Sequence, residues 1–245
     1  MIYVLLLFLF LPSAAMPDQT EQITLHAIVA FDNHSELKSS VQKDVSLMSS
    51  LLRELQKATG IRTTIQTMSG KKLSTTSLRA HLQSLTKEQP DILLFYYSGH
   101  GLQSQSTPWP SLYFSPHKES YPAEKICSLF EERDPRLAIL LFDCCNTTYL
   151  PSSLLQPKQA STTFSIAGPG LCSLFLKTRG TIVATGAQPG SPSYAGQQGS
   201  LFTLALLEAF QRLAPDTAAS WDQLLEQTAL FCTPYQRPFS LIRVS

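Results

Sequence analysis

LAILLFDCCNT, residues 137–147, holds six consecutive apolar residues, Leu137–Phe142, that run without a break into Asp143-Cys144-Cys145-Asn146. An apolar run of that length suits a strand covered on both faces, as at the centre of a parallel sheet. Open α/β sheets place their ligand sites at the carboxyl ends of such strands. A carboxylate and two thiols arriving there together therefore mark a candidate site. A second stretch upstream has the same design: DILLFYYSGHG, residues 91–101, is an apolar strand ending in Ser98-Gly99-His100-Gly101.

Working outward, the chain alternates strand and helix patterns. Gln22–Phe31 predicts a first strand, with Ile23, Leu25, Ala27, Val29 and Phe31 alternating. Val41, Val45, Met48, Leu51, Leu52, Leu55 and Ala58 then share one face of a helix that Gly60 ends. Ile61–Thr67 is a second strand, and Thr75 or Thr76 is expected to cap a helix carrying Leu78, Leu82 and Leu85. The polar, Pro-rich Gly101–Tyr121 reads as a surface excursion with one hairpin around Ser111–Ser115, followed by a helix over Pro122–Arg133. Thr147–Pro169 is the longest stretch without a pattern. Gly180–Thr185 is a strand and Leu201–Leu213 a helix. Ser220-Trp-Asp-Gln223 opens a last helix through Phe231, and Pro234 and Pro238 leave a short C-terminal strand or tail. This order predicts a three-layer α/β/α sandwich with a mostly parallel central sheet.

Composition narrows the function. Hydrophobic residues at 43% of 245 support a sizeable core, and a net charge of +1 argues against nucleic acid or an anionic membrane surface. The adjacent Lys71 and Lys72 read as a solvated turn. Ile2–Leu11 is uninterrupted and apolar but falls well short of the ~20 residues that span a bilayer. With Ser13 and Ala15 behind it, residues 1–15 fit a signal peptide, residues 16–245 form one domain without a stable membrane span, and the protein is secreted or periplasmic. The five cysteines, an odd number without a ladder of spacings, predict neither a zinc site nor a disulfide framework, and no cofactor is expected. One pair among Cys127, Cys172 and Cys232 is left open to bridging.

A thiol nucleophile needs a base or cation beside it and donors for the oxyanion that develops. His100 and Cys145 meet the first need: 45 positions and one helix apart, they close strands that a single right-handed crossover makes neighbours. Gly99 and Gly101 let the backbone turn around His100, making the Gly101 and Cys145 amides candidate oxyanion donors. Cys144 competes as nucleophile. Strand alternation points the two thiols to opposite sides, so only one should face His100.

Tyr97-Ser-Gly-His-Gly101 and Asp143-Cys-Cys145, each closing an apolar strand, resemble the histidine and cysteine boxes of the caspase-like cysteine peptidases of family C14. The likeness is closer to metacaspases and paracaspases than to animal caspases, and it covers most of residues 22–242. It implies a caspase-like fold, His100 as general base and Cys145 as nucleophile. It also implies an endopeptidase acting on polypeptides, with Asp44, Ser98 and Asp143 lining an acidic pocket that selects Arg or Lys, Arg preferentially for its planar fork. Enzymes of this fold that cut after Asp use arginines there, and none stands near Asp44 or directly before Cys145. The other reading of Asp44 is a first-turn carboxylate favoured by the helix dipole, worth ~0.3–1 kcal/mol. Two features depart from the pattern: Asn146-Thr147 replaces the His-Ser-Gly run usual after the metacaspase cysteine, and no carboxylate-rich loop suits calcium. The alternatives are a catalytically weak or inactive interaction module, and a legumain-like enzyme that cuts after Asn.

Overall fold

The computed structural model describes residues 22–85, 90–148, 166 and 168–245. β1 (Thr24–Phe31) leads through α1 (Lys38–Thr59) to β2 (Arg62–Ser69), then α2 (Thr75–Ser84) and β3 (Ile92–Ser98). Three short strands follow, β4 (His100–Gln103), β5 (Pro110–Phe114) and β6 (Glu119–Pro122), before α3 (Ala123–Arg133) and β7 (Leu137–Asp143). Beyond them lie α4 (Pro169–Cys172), a π-helical turn over Ser173–Lys177 and β8 (Gly180–Thr185). The chain closes with β9 (Ala195–Gly196), β10 (Gly199–Ser200), α5 (Leu201–Leu213), α6 (Trp221–Cys232) and β11 (Phe239–Val244).

The central sheet has the order β11-β8-β7-β3-β1-β2. Its pairs are parallel except for β11, which runs antiparallel to β8 along one edge. Period-two alternation explains why the middle strands are apolar throughout. Leu137, Ile139 and Leu141 of β7 enter one core with Met48 and Leu51 of α1, Phe202 and Phe210 of α5, and Trp221 of α6. Ala138, Leu140 and Phe142 enter a second core with Leu78 and Leu82 of α2, and Ile126 and Phe130 of α3. Helices thus cover both faces, and the chain is an α/β sandwich.

Two local expectations change, and the open question of a disulfide is answered. Gly101–Tyr121 is not a single hairpin but part of a three-stranded antiparallel sheet, β4-β5-β6. Its prolines hide a real alternation, because Leu112 and Phe114 of β5 point into the second core. The cap of α2 is Ser74, whose side chain accepts from the Ser77 N–H, whereas Thr75 donates its N–H and its hydroxyl to Glu119. All five thiols are free. The expected signal peptide, residues 1–15, and most of the patternless Thr147–Pro169 lie outside the described residues.

What matters for function is the register. Ser98 of β3 stands opposite Asp143 of β7, and Phe31 of β1 stands opposite Ser98. Three strand ends therefore lie level at one carboxyl edge, where β3 and β7 deliver Ser98 and Asp143.

Candidate active site

At that edge the chain turns sharply: the Cys144 N–H donates to the Phe142 carbonyl at 3.1 Å, so strand alternation stops at Asp143. Cys144 and Cys145 consequently border the same cavity, and alternation does not separate the two thiols as expected. Packing separates them instead. Cys144 belongs to the second apolar core and Cys145 does not. Burial pushes the Cys144 thiol well above the usual range, with the neighbouring Cys145 and Asp143 adding to it.

The Cys145 sulfur accepts from the Ser193 N–H at 3.2 Å and donates to the Ser193 carbonyl at 3.5 Å. Burial raises its pKa, the Ser193 amide opposes that, and Asp143 reinforces it. His100 lines the same cavity, its ring edge-on to Tyr113 and its Nε2 3.2 Å from a carboxylate oxygen of Glu36. The Tyr97 hydroxyl fixes the backbone here, sharing its one proton between the Tyr113 carbonyl at 2.7 Å and the His100 carbonyl at 3.0 Å. A β-carbon on Gly101 would sit 2.2 Å from the Cys145 carbonyl oxygen, so glycine is required for the two backbones to pass. The two candidate oxyanion residues are thus in contact.

Asp44 and Asp143 line the same cavity, close enough for the charge of Asp143 to act on Asp44. Asp44 is fully buried in the second turn of α1, too deep to be a first-turn carboxylate serving the helix dipole. It accepts from the Ser98 hydroxyl and the Ser200 N–H, each at 2.8 Å. Asp143 accepts from the Thr203 N–H at 3.1 Å, the Thr203 hydroxyl at 2.5 Å and the hydroxyls of Ser200 and Ser193. Because Thr203 gives its only hydroxyl proton to Asp143, Tyr96, 2.5 Å behind it, must be the donor to Thr203. Burial, then the charge of Asp143, pushes Asp44 up to about 8. Asp143 is also raised by burial, against the donors of Ser200, Thr203 and Ser193. The cavity lining contains no Lys or Arg, and neither carboxylate has an ion-pair partner among the described residues.

Asp44, Ser98, His100, Asp143 and Cys145 are thus gathered around one cavity, with Gly101 against Cys145. Sequence reasoning missed Ser193, Ser200, Thr203 and Gln236. The Gln236 side chain accepts from the Tyr194 N–H at 2.8 Å and donates to the Gly186 carbonyl at 2.6 Å, holding the loop that carries Ser193. The unusual Asn146 turns out to be a structural tie. Its side chain donates to the Pro108 carbonyl at 2.8 Å, its N–H to the Ser191 carbonyl at 3.0 Å, and its carbonyl accepts from Gly190 at 2.8 Å. Among the described residues no group of three or more His, Cys, Asp or Glu is placed to hold a metal ion. No described helix is long and apolar enough to cross a membrane.

A mostly parallel six-stranded sheet with one antiparallel edge, helices on both faces and a polar cavity at its carboxyl edge defines a caspase-like α/β sandwich. The family model described as the caspase domain, of peptidase family C14, matches residues 25–230, and the chain belongs to that family of cysteine peptidases, whose substrates are polypeptides. The crystal structure of caspase-1 from Spodoptera frugiperda has the same fold, with a TM-score of 0.61 and 15% identity over 90% of this chain and 88% of that one. No curated protein sequence is similar enough to count as a match.

Proposed function

We propose that the protein is an endopeptidase that cleaves after Arg or Lys through His100 and Cys145. The observation that carries this reading is the pair of buried carboxylates, Asp44 and Asp143, facing one cavity with Cys145 and His100 and no cation of their own. Two carboxylates out of water are costly unless a cation joins them. A substrate guanidinium, with five donors in a planar fork, suits that demand better than an ammonium.

The chemistry then runs as follows. Cys145 gives its proton to His100, and the sulfur adds to the substrate carbonyl carbon. The resulting oxyanion is met by the Gly101 and Cys145 amides. Collapse breaks the C–N bond, and the amine leaves with the proton from His100. Water, losing a proton to His100, attacks the thioester. The acid product leaves and the thiol is restored. Asp143 links binding to reactivity: its charge opposes the thiolate, and a bound guanidinium neutralises it.

The cavity, about 30 Å³, holds about two waters and not an arginine side chain. An arginine side chain therefore needs a wider cavity than this one. Profiling a mixed peptide library with wild type, Cys145→Ala and Asp143→Ala tests the whole reading. Cleavage after Arg and Lys is expected from wild type, none from Cys145→Ala, and loss of the basic preference in Asp143→Ala. Cleavage after Asn, or binding of a partner with no turnover in wild type, would replace it. Ile2–Leu11 supports export as part of the proposal, and N-terminal sequencing of the processed protein tests cleavage after Ala15.

A further inference from the structure

His100 has one ring nitrogen committed to a carboxylate outside the family boxes. Glu36 Oε1 lies 3.2 Å from His100 Nε2 in a pair that is lopsided in exposure: the His100 side chain is 5% exposed and that of Glu36 58%. A carboxylate accepts only, so the hydrogen of this contact belongs to Nε2. Glu36 sits on the loop between β1 and α1, and that loop is built. The Asp32 carboxylate accepts from the His34 N–H at 3.1 Å and also holds the Ser115 N–H and hydroxyl. Ser35 accepts from the Leu37 N–H at 3.2 Å with its side chain and from the Lys38 N–H at 3.1 Å with its carbonyl. Asp32 is itself tied to β3 through its N–H and the Ser98 carbonyl, 3.0 Å apart. The segment presenting Glu36 is therefore anchored to the last residue of β3, two positions before His100.

The other acids near His100 are occupied. Asp44 and Asp143 take hydroxyl and amide donors of their own, and Tyr113 meets the ring edge-on without a hydrogen bond. Glu36 alone among the described residues pairs with the imidazole.

We infer that Glu36 is a positioning residue for the proteolytic reaction: by accepting the Nε2 hydrogen it fixes the tautomer and tilt of His100 and leaves Nδ1 to exchange protons with Cys145. The inference rests on the His100/Cys145 reading. When Cys145 gives up its proton, Nδ1 takes it, the ring becomes an imidazolium and Glu36 faces its positive charge. When the amine leaves, the same proton departs from Nδ1. Glu36 keeps its own protonation state throughout. A carboxylate–imidazole pair outside the usual two-residue boxes makes this a three-part arrangement, with the third member drawn from the loop after β1.

The test is steady-state cleavage of an arginyl peptide amide by wild type, Glu36→Gln, Glu36→Asp and His100→Ala, with unfolding midpoints. The rate at which iodoacetamide alkylates Cys145 at neutral pH is measured alongside. Glu36→Gln keeps the shape but loses the charge, and it is expected to lower kcat about tenfold, the size suited to a charged hydrogen bond with one partner in solvent. KM and the unfolding midpoint stay unchanged, alkylation slows, and Glu36→Asp recovers part of the loss. Unchanged kcat and alkylation in Glu36→Gln, with His100→Ala inactive, overturns the role of Glu36 and leaves the dyad standing. Losses shared among kcat, KM and midpoint make Glu36 merely structural and overturn it equally. Wild-type rates in His100→Ala sink the dyad reading, and this inference with it.

Discussion

The two edges of the central sheet use the same kinds of residue to opposite ends. At the amino edge, Asp91 accepts from the Thr24 N–H at 2.8 Å and the Thr24 hydroxyl at 3.1 Å, joining the starts of β1 and β3. Arg136 donates to the carbonyls of Phe175, Leu176 and Thr178 at 2.6, 2.9 and 3.0 Å, clamping the π-helical turn that precedes β8. These charges meet neutral dipoles and, in Asp91 and Arg136, each other's opposite sign, and they simply hold the chain. At the carboxyl edge Asp44 and Asp143 are buried in one cavity, surrounded by donors but without a cation, so that burial and the charge of Asp143 hold a proton on Asp44 that a bound cation would release. Hydroxyl and amide donors offset part of the cost of burying a carboxylate but do not neutralise it. A polar edge that is electrically complete serves folding, whereas an incomplete one reserves its energy for a ligand.

The largest way to break that contrast is to remove one carboxylate. Asp143→Ala is expected to lower kcat/KM for arginyl peptides by about 10²-fold, the scale of losing one partner of a buried charge pair, while any residual cleavage after uncharged residues changes little. Side-by-side kinetics on matched arginyl and citrullyl peptides measure this. An equal loss on both would mean that Asp143 holds the loop rather than the charge. The corresponding cut at the amino edge is Arg136→Ala. It forfeits three carbonyl contacts and is expected to cost about 2 kcal/mol in denaturant unfolding, with the Arg/citrulline ratio untouched. A changed ratio would dissolve the distinction between the edges.

The carboxyl edge should also declare itself in pH. Folding raises Asp44 from 3.8 to about 8, with burial the main cause and Asp143 the second. Between those values the folded protein holds a proton that the unfolded chain has released, so the contribution of this pair to stability falls as pH rises from about 4 to about 8. Thermal unfolding across that range should show the decline, and Asp44→Asn should flatten it. Arginyl substrates demand the opposite: their binding favours the ionised pair, releases a proton and should tighten over the same range. A decline that survives Asp44→Asn would locate the effect elsewhere.

Much of this was legible in the sequence because it depends on period. Gly180–Thr185 and Leu201–Leu213 form elements with those same bounds, and the apolar run Leu137–Phe142 forms β7 with Asp143 as its last residue, since continuous apolar runs and helical spacing are local facts. β4, β5 and β6 were harder, because prolines at 108, 110, 116 and 122 break the strand signal while the inward Leu112 and Phe114 are just two residues. Of the site, the sequence marked residues whose chemistry is unusual at a strand end: His100, Asp143 and Cys145. It was silent on Ser193, Ser200, Thr203 and Gln236, ordinary side chains whose parts come from partners between 42 and 60 positions away. Glu36 belongs with them. One glutamate before a helix looks like any other until β1 and β3 are placed side by side.

The smallest expected effect separates the two edges most finely. Tyr97→Phe removes one hydroxyl whose single proton is shared between two backbone carbonyls, those of Tyr113 and His100. Leaving those acceptors unmet in a buried place should cost about 1–2 kcal/mol, close to the loss expected from Arg136→Ala. Stability alone therefore does not tell the two variants apart. Activity should. The Tyr97 hydroxyl ties β4 to β5 at the residue that carries the imidazole, so its loss loosens the backbone under His100 and is expected to lower kcat several-fold with KM unchanged. Proximity effects make a displacement of even an ångström costly at a reacting group. Arg136 acts at the opposite end of the strands, where an equal loss of stability leaves the folded site as it was. Measuring kcat for both at a temperature well below either unfolding midpoint decides the matter. Equal kcat values would mean that His100 is held by its neighbours without Tyr97, and that the carboxyl edge is stiffer than its hydrogen bonds suggest.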